Sequence, residues 1–186
     1  MTSLVLASTS PQRRAILEQL GIAFEVAEPG VEEVTEGDPA TVVIENALRK
    51  ARAAGGVAAG RPVLGVDTTV ADTVRLYGKP RDESEARRTL RALAGGEHHV
   101  WSGLALCAGG DERLTAAEKT LVRFRSLGPP EIEWYLASGE WRGRAGGYAI
   151  QGRGAALVER IEGDPWNVVG LPVAALTRLA PQLFRI

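Results

Sequence analysis

Leu4-Val5-Leu6-Ala7-Ser8-Thr9-Ser10-Pro11-Gln12-Arg13-Arg14 is the stretch on which the reading of the chain turns. Leu4 to Ala7 is a short apolar run of the kind that forms a buried strand. Ser10 followed by Pro11 marks a helix start, an N-cap with proline at the first helical position. From Ala15 the pattern is helical, with Ile16, Leu17 and Leu20 on one face and Gly21 as the stop. A strand thus hands the chain to a helix N-terminus that carries hydroxyls, Ser8 to Ser10, and two arginines, Arg13 and Arg14. Free backbone N–H groups, the positive end of the helix dipole and guanidinium forks favour an anion there, a phosphate first of all. An ordinary capped helix with a solvated basic face is the alternative, and the stretch alone does not decide.

The 186 residues are 45% apolar, enough for one good core, so one domain, or one domain with two lobes, is expected. The formal net charge of −1 gives no bulk attraction for nucleic acid or a membrane surface. An anionic ligand has to be met by local charge. Cys107 is the single cysteine, which excludes an intramolecular disulfide and a multi-cysteine zinc site. Inside Leu104–Ala108 it reads as core rather than nucleophile. The N-terminus lacks the basic region and apolar length of a signal peptide, and no stretch reaches membrane-spanning length, so a cytoplasmic protein is expected. Nearly all the basic residues are arginine; Lys50, Lys79 and Lys119 are the only lysines.

Downstream, Ala23 to Ala27 reads as a short strand, followed by an acidic loop, Val31 to Asp38, that contains Glu33. A second helix starts near Asp38-Pro39 and runs to Gly55-Gly56, with Lys50 in its last turns, where it either complements the helix C-terminus or reaches a ligand. Val63 to Val66 reads as a buried strand ending in Asp67-Thr68-Thr69. A carboxylate just past a strand's C-terminal end in an α/β protein sits where ligands bind, as a metal ligand or as a general base for water. An Asx-turn residue closing the strand is the plain alternative. Val70 to Leu76 reads as a hairpin-like excursion leading to Lys79, held in a loop between Gly78 and Pro80.

A helix from Asp82 through Ala86, Leu90 and Leu93 stops at Gly95-Gly96. Long strands follow at His98–Ala108 and Ala116–Phe124, paired across Gly109-Gly110-Asp111. Neighbouring strand residues face opposite ways, so His98 and His99 make a poor metal pair and are expected to be structural or exposed. A helix from Pro129 carries Ile132, Tyr135 and Leu136. The glycine-dense run Gly143–Gly154 suggests backbone close to a ligand, or tight turns. The Gln151 amide within it can read a base edge with one donor and one acceptor. Ala155 to Ile161 reads as a strand, and a final helix runs through Leu179.

Leu6–Arg14, Gly65-Val66-Asp67-Thr68, Gly78-Lys79-Pro80, Ala145–Gly152 and Val168–Pro172 together resemble the signature blocks of the Maf family of nucleoside triphosphate pyrophosphatases, in the family's order and over nearly the whole chain. The fold this implies is α/β, a mixed sheet with flanking helices and two lobes around a nucleotide-binding cleft, Maf/inosine-triphosphatase-like, with residues 1–186 as one such domain. The activity it implies is hydrolysis between the α and β phosphates, giving a nucleoside monophosphate and pyrophosphate, with a divalent cation, Mg²⁺ or Mn²⁺. Asp67 matches the family's proton acceptor, Ser8 and Arg13 its phosphate loop, and Lys50 and Lys79 its phosphate-holding cations. Glu33 matches an acidic residue at the metal site, which Asp67 shares. Thr68 and Gln151 match positions tied to a preference for dTTP and UTP. Gln12 stands where the family usually has arginine, and Gly143-Arg144 where it usually has Asp-Lys.

The resemblance carries roles in nucleotide-pool cleaning and division arrest, and it allows a homodimer that nothing in the residues requires. The alternatives are the same reaction on 7-methyl-GTP or a purine nucleotide, or a non-catalytic nucleotide sensor that inhibits division. Charge neutralisation, an oriented water and a metal are what triphosphate cleavage needs, and this residue set supplies that chemistry.

Overall fold

A computed structural model of the protein describes residues 4–108 and 112–184. The expected turn at Gly109-Gly110-Asp111 lies outside the described residues. The chain divides into two units. The first comprises residues up to Thr68, Ser102–Glu118 and those from Gly170 on; the second comprises Thr69–Trp101 and Lys119–Val169.

In the first unit, β1 (Leu4–Ala7) leads through Ser8 into α1 (Pro11–Gln19) and on to β2 (Phe24–Val26). Proline occupies the first turn of α1 as expected, but the Ser10 hydroxyl does not cap the helix. It donates to Gln12 Oε1 instead, at 3.1 Å. Ile16 and Leu17 are buried, whereas Leu20, expected on the same face, is exposed at the helix C-cap. α2 (Pro39–Ala58) is capped by the Asp38 carboxylate, which accepts from Thr41 N–H at 3.0 Å. β3 (Val63–Ala71) lies parallel to β1, with Ala7 beside Gly65, and β2 lies parallel to β1 on its other side.

Two expectations about this region are corrected. α2 does not stop at Gly55-Gly56; it continues to Ala58, where Ala59 takes a left-handed φ of 50°. The extra turn carries two helical glycines, at a cost of about 1 kcal/mol each, and buries Ala58 beyond them. Lys50 is consequently mid-helix and buried, so complementing the C-terminal dipole is not its role. Asp67 likewise lies within β3, not beyond it. What ends before Asp67 is the neighbouring strand: β1 pairs only as far as Gly65, which leaves the Asp67 segment past its partner's C-terminal edge.

α2 lies against the sheet on small residues. Ala47, Ala51, Ala54 and Ala58 form one helical stripe packed with Val5, Ala7, Val63 and Ala105. A Cβ on Gly65 would stand 2.0 Å from Ala47 O, and one on Gly103 would stand 2.2 Å from Val43 O. Only glycine admits a helix backbone that close.

In the second unit, the end of β3 pairs antiparallel with β4 (Leu76–Tyr77), confirming the hairpin-like excursion. α3 (Glu83–Leu93) begins at an Asp82 cap and buries Ala86, Leu90 and Leu93. β5 (Glu97–Ala108) and β6 (Glu112–Phe124) contribute residues to both units, and β7 (Val158–Glu162) pairs antiparallel with β6. α4 (Pro129–Leu136) buries Ile132, Tyr135 and Leu136 in the core of the second unit, beside Phe124 and Tyr148. The strand expected from Ala155 starts only at Val158, since Arg153–Leu157 is a 3-10 turn. α5 (Pro165–Val169) and α6 (Val173–Leu179) complete the helices, and the mixed α/β class is as expected. Among the described residues no helix is long and apolar enough to cross a membrane.

Candidate active site

Side chains alternate along β3, so Gly65 and Asp67 share the face that meets α2, while Thr68 faces the other way. Two clusters of the first unit follow from that alternation.

On the α2 face, Asp67 is 5% exposed. Lys50 Nζ lies 2.5 Å from Asp67 Oδ1 and 2.5 Å from Glu33 Oε1. Asn46, one helical turn before Lys50, donates from Nδ2 to Asp67 Oδ2 at 3.0 Å. Burial pushes the Asp67 carboxyl up, but the Lys50 charge, the hydrogen bonds from Lys50 and Asn46, and the Arg13 charge overcome it. The net result holds Asp67 below the usual carboxylate range, ionised at neutral pH. The acidic loop is therefore not a merely solvated turn, because it delivers Glu33 to a buried lysine.

On the other face, Arg13 is buried and donates four of its five N–H groups to acceptors of its own chain. Its Nε donates to Gly170 O at 2.9 Å, and Nη1 donates to Ser8 Oγ at 3.0 Å and Val66 O at 2.9 Å. Nη2 donates to Thr68 Oγ1 at 3.1 Å. Ser8 Oγ also accepts from Ser10 N–H at 3.3 Å, so both contacts use it as acceptor and its hydrogen is the donor left for a ligand. The Thr68 hydroxyl shares a 2.8 Å hydrogen bond with Ser102 Oγ, which is fully buried. Gln12 is half-buried at the start of α1.

Lys79 and Gln151 belong to the second unit and are exposed. The segments that carry them are joined there. Gly146 N–H donates to Gly78 O at 3.0 Å, and Gly147, at φ 70°, leaves room for Pro80. The glycine-dense run is thus partly explained as the seat of the Lys79 loop. Next to Gln151, Arg153 N–H donates to Glu140 Oε1 at 3.1 Å, and a Cβ on Gly152 would meet that same carboxylate.

Reading the residues in sequence missed Asn46 and Ser102. Both left a signal. Asn46 interrupts the apolar stripe of α2 between Val43 and Ala47, and Ser102 sits in the inward alternation of β5 between Val100 and Leu104. Cys107 is half-buried, packed against the core under α2, and burial pushes its thiol up, which disfavours the thiolate. His98 is buried and His99 half-buried.

The fold and the site together have the character of an α/β protein with an ionised carboxylate buried at the edge of a parallel strand pair. Comparison with known proteins gives this class its family. The sequence matches the Maf-like protein family over residues 3–183, and the chain belongs to the Maf family. A dTTP/UTP pyrophosphatase of Symbiobacterium thermophilum is 47% identical over 98% of this chain and 94% of its own length. Proteins of the same name from Pelotomaculum thermopropionicum and Pyrococcus furiosus are 45% and 41% identical, covering 95% and 96% of this chain and 94% of each relative. Among solved structures, a HAM1 protein from Coxiella burnetii matches 100% of both chains with a TM-score of 0.55 at 19% identity, a likeness of fold.

Proposed function

We propose that the protein hydrolyses dTTP and UTP to the nucleoside monophosphate and pyrophosphate, with Asp67 receiving a proton from the attacking water. Its place in the Maf family and its relatives' shared name make it a nucleoside triphosphate pyrophosphatase; the substrates and residue roles are the proposal. The observation that carries it is the buried, ionised Asp67, gripped at one oxygen by Lys50 and at the other by Asn46. A carboxylate oxygen has more than one lone pair, so both grips leave acceptor sites for a water. Fixed in this way, Asp67 orients that water without reorganising during the reaction.

The charges of Lys50 and Arg13 are balanced by those of Asp67 and Glu33, so this cluster alone has no net attraction for a polyphosphate. A divalent cation suits that balance. Glu33 and Asp67 are hard oxygen donors close enough to share one ammonium, and Mg²⁺ or Mn²⁺ takes few protein carboxylates besides water and phosphate oxygens. When bound, such an ion supplies charge neutralisation and lowers the pKa of water, which lets a carboxylate of depressed basicity serve. Ser8 offers its hydroxyl hydrogen to a phosphate oxygen, and Arg13 holds Ser8 and Thr68 in place for it. Lys79 is assigned to the phosphates and Gln151, Thr68 and Gln12 to the base. Clearing such nucleotides from the pool is the role that follows.

Pyrophosphate release from a panel of triphosphates, with Mg²⁺, with Mn²⁺ and with chelator, tests this reading. Metal-dependent release confined to dTTP and UTP is the expected result. Release from 7-methyl-GTP or a purine nucleotide instead would keep the chemistry and overturn the base assignment; no release from any would leave a nucleotide-binding protein. Asp67→Asn is expected to abolish turnover while nucleotide binding stays measurable by calorimetry. Full activity in that variant would remove Asp67 from the proton-accepting role.

A further inference from the structure

Asn46 is 2% exposed, and every hydrogen-bonding group of its carboxamide is used. Oδ1 accepts from Val34 N–H at 2.7 Å, and Nδ2 donates both to Val34 O at 2.9 Å and to Asp67 Oδ2 at 3.0 Å. Val34 belongs to a stretch without regular structure, residues 29–35, and it directly follows Glu33. Its backbone N–H and C=O are therefore both met by one side chain, as a strand partner would meet them. Lys50 grips the loop from the same helix face through the Glu33 carboxylate, a side chain rather than the backbone.

From this arrangement we infer that Asn46 is a positioning residue of the reaction: it fastens the acidic loop to the α2 face of β3 and thereby sets Glu33 against Asp67. The inference rests on the roles given above to Asp67 and Glu33. An ammonium on a flexible four-carbon stem can follow a moving carboxylate, so Lys50 does not fix the spacing of the two acids. A buried carboxamide satisfied on every side has one geometry, and it transmits that geometry to both partners. Groups that orient ligating carboxylates act through such outer contacts, and losing them costs about 10–100-fold in activity or metal affinity.

The test compares the parent enzyme with Asn46→Ala and Asn46→Asp. The aspartate keeps an acceptor for Val34 N–H but loses both donors and sets a second charge against Asp67. Steady-state kinetics with dTTP are read together with amide hydrogen exchange of the nucleotide-free protein. Both variants are expected to lose about 10–100-fold in kcat with little change in nucleotide KM. Exchange at Val34, slow in the parent, is expected to become fast in Asn46→Ala while exchange in β5 stays slow. Unchanged kcat, or unchanged exchange at Val34, would overturn the inference. So would faster exchange throughout the first unit, which would make Asn46 a general support of the fold. Should the parent turn over neither dTTP nor UTP, the proposed activity fails, while the exchange result still decides whether Asn46 tethers the loop.

Discussion

At the scale of single residues, some buried polar groups serve the site, while His98 is one that burdens the fold. His98 is fully buried in the second unit, its Nε2 2.8 Å from the Tyr148 hydroxyl, and edge-on to the rings of Phe124 and Tyr148. Its Nδ1 has no hydrogen-bond partner among the described residues. Burial pushes its pKa down to about 4, helped by the charge of His99 and opposed by Asp72. The folded protein thus binds fewer protons than the unfolded chain between the ordinary histidine value and about 4. Stability is full above that window and falls as pH drops through it, by about 3 kcal/mol in total. Urea melts on either side of the window are expected to show the loss, and His98→Gln is expected to flatten it. An equal acid sensitivity in that variant would place the effect elsewhere. Arg13 teaches a different lesson. Its position beside a helix start made it readable as a phosphate ligand, and nothing in the sequence signals that four of its five N–H groups are donated to its own chain, one of them to Gly170 at the far end of the sequence. Local pattern carries no record of such a distant acceptor.

At the scale of elements, most starts and stops were readable because they are local chemistry. Asp38 and Asp82 cap α2 and α3 with their side chains, and Pro11 opens α1. The errors fall where packing overrides local preference. α2 passes through Gly55-Gly56 to Ala58, which is buried against the sheet, and this moves Lys50 from the last turns to the middle of a helix. The seat of α2 yields a paired prediction. Gly65→Ala would place a methyl 2.0 Å from Ala47 O, so α2 has to shift, carrying Asn46 and Lys50 with it. An overpacking loss of about 1–3 kcal/mol and a fall in kcat are expected. Gly55→Ala meets nothing within 4 Å and lies inside the helix, so it is expected to raise stability by about 0.4–1 kcal/mol and leave turnover alone. Thermal melts and dTTP turnover of the two variants check both halves; a harmless Gly65→Ala would refute the close seat.

At the scale of the whole molecule, the order of strands and helices was legible from periodicity, but the partition into two units was not. β5 and β6 each read as one uninterrupted strand, and β3 reads as ending before Asp67, yet all three supply residues to both units. Periodicity reports which way a side chain faces, not which long-range neighbours it gathers. Neither unit is a continuous length of chain, so the two are expected to unfold in one step. All four tryptophans, Trp101, Trp134, Trp141 and Trp166, lie in the second unit. Their fluorescence and the far-UV circular dichroism of the whole chain are therefore expected to report one shared midpoint in urea; separated midpoints would mean independent folding.

The same partition governs what recombination between relatives can do. Lys79 and Gln151 sit in the second unit while Asp67, Lys50 and Glu33 sit in the first, and the residues of the second unit are interrupted by Ser102–Glu118. A single exchanged gene segment cannot carry the second unit across intact without also importing that interruption. Exchange of Lys79 and Gln151 together therefore needs two segments with joints inside strands, whereas point substitution needs none. Single substitutions are accordingly an easier route than shuffling to changing Lys79 or Gln151 while the first unit stays as it is.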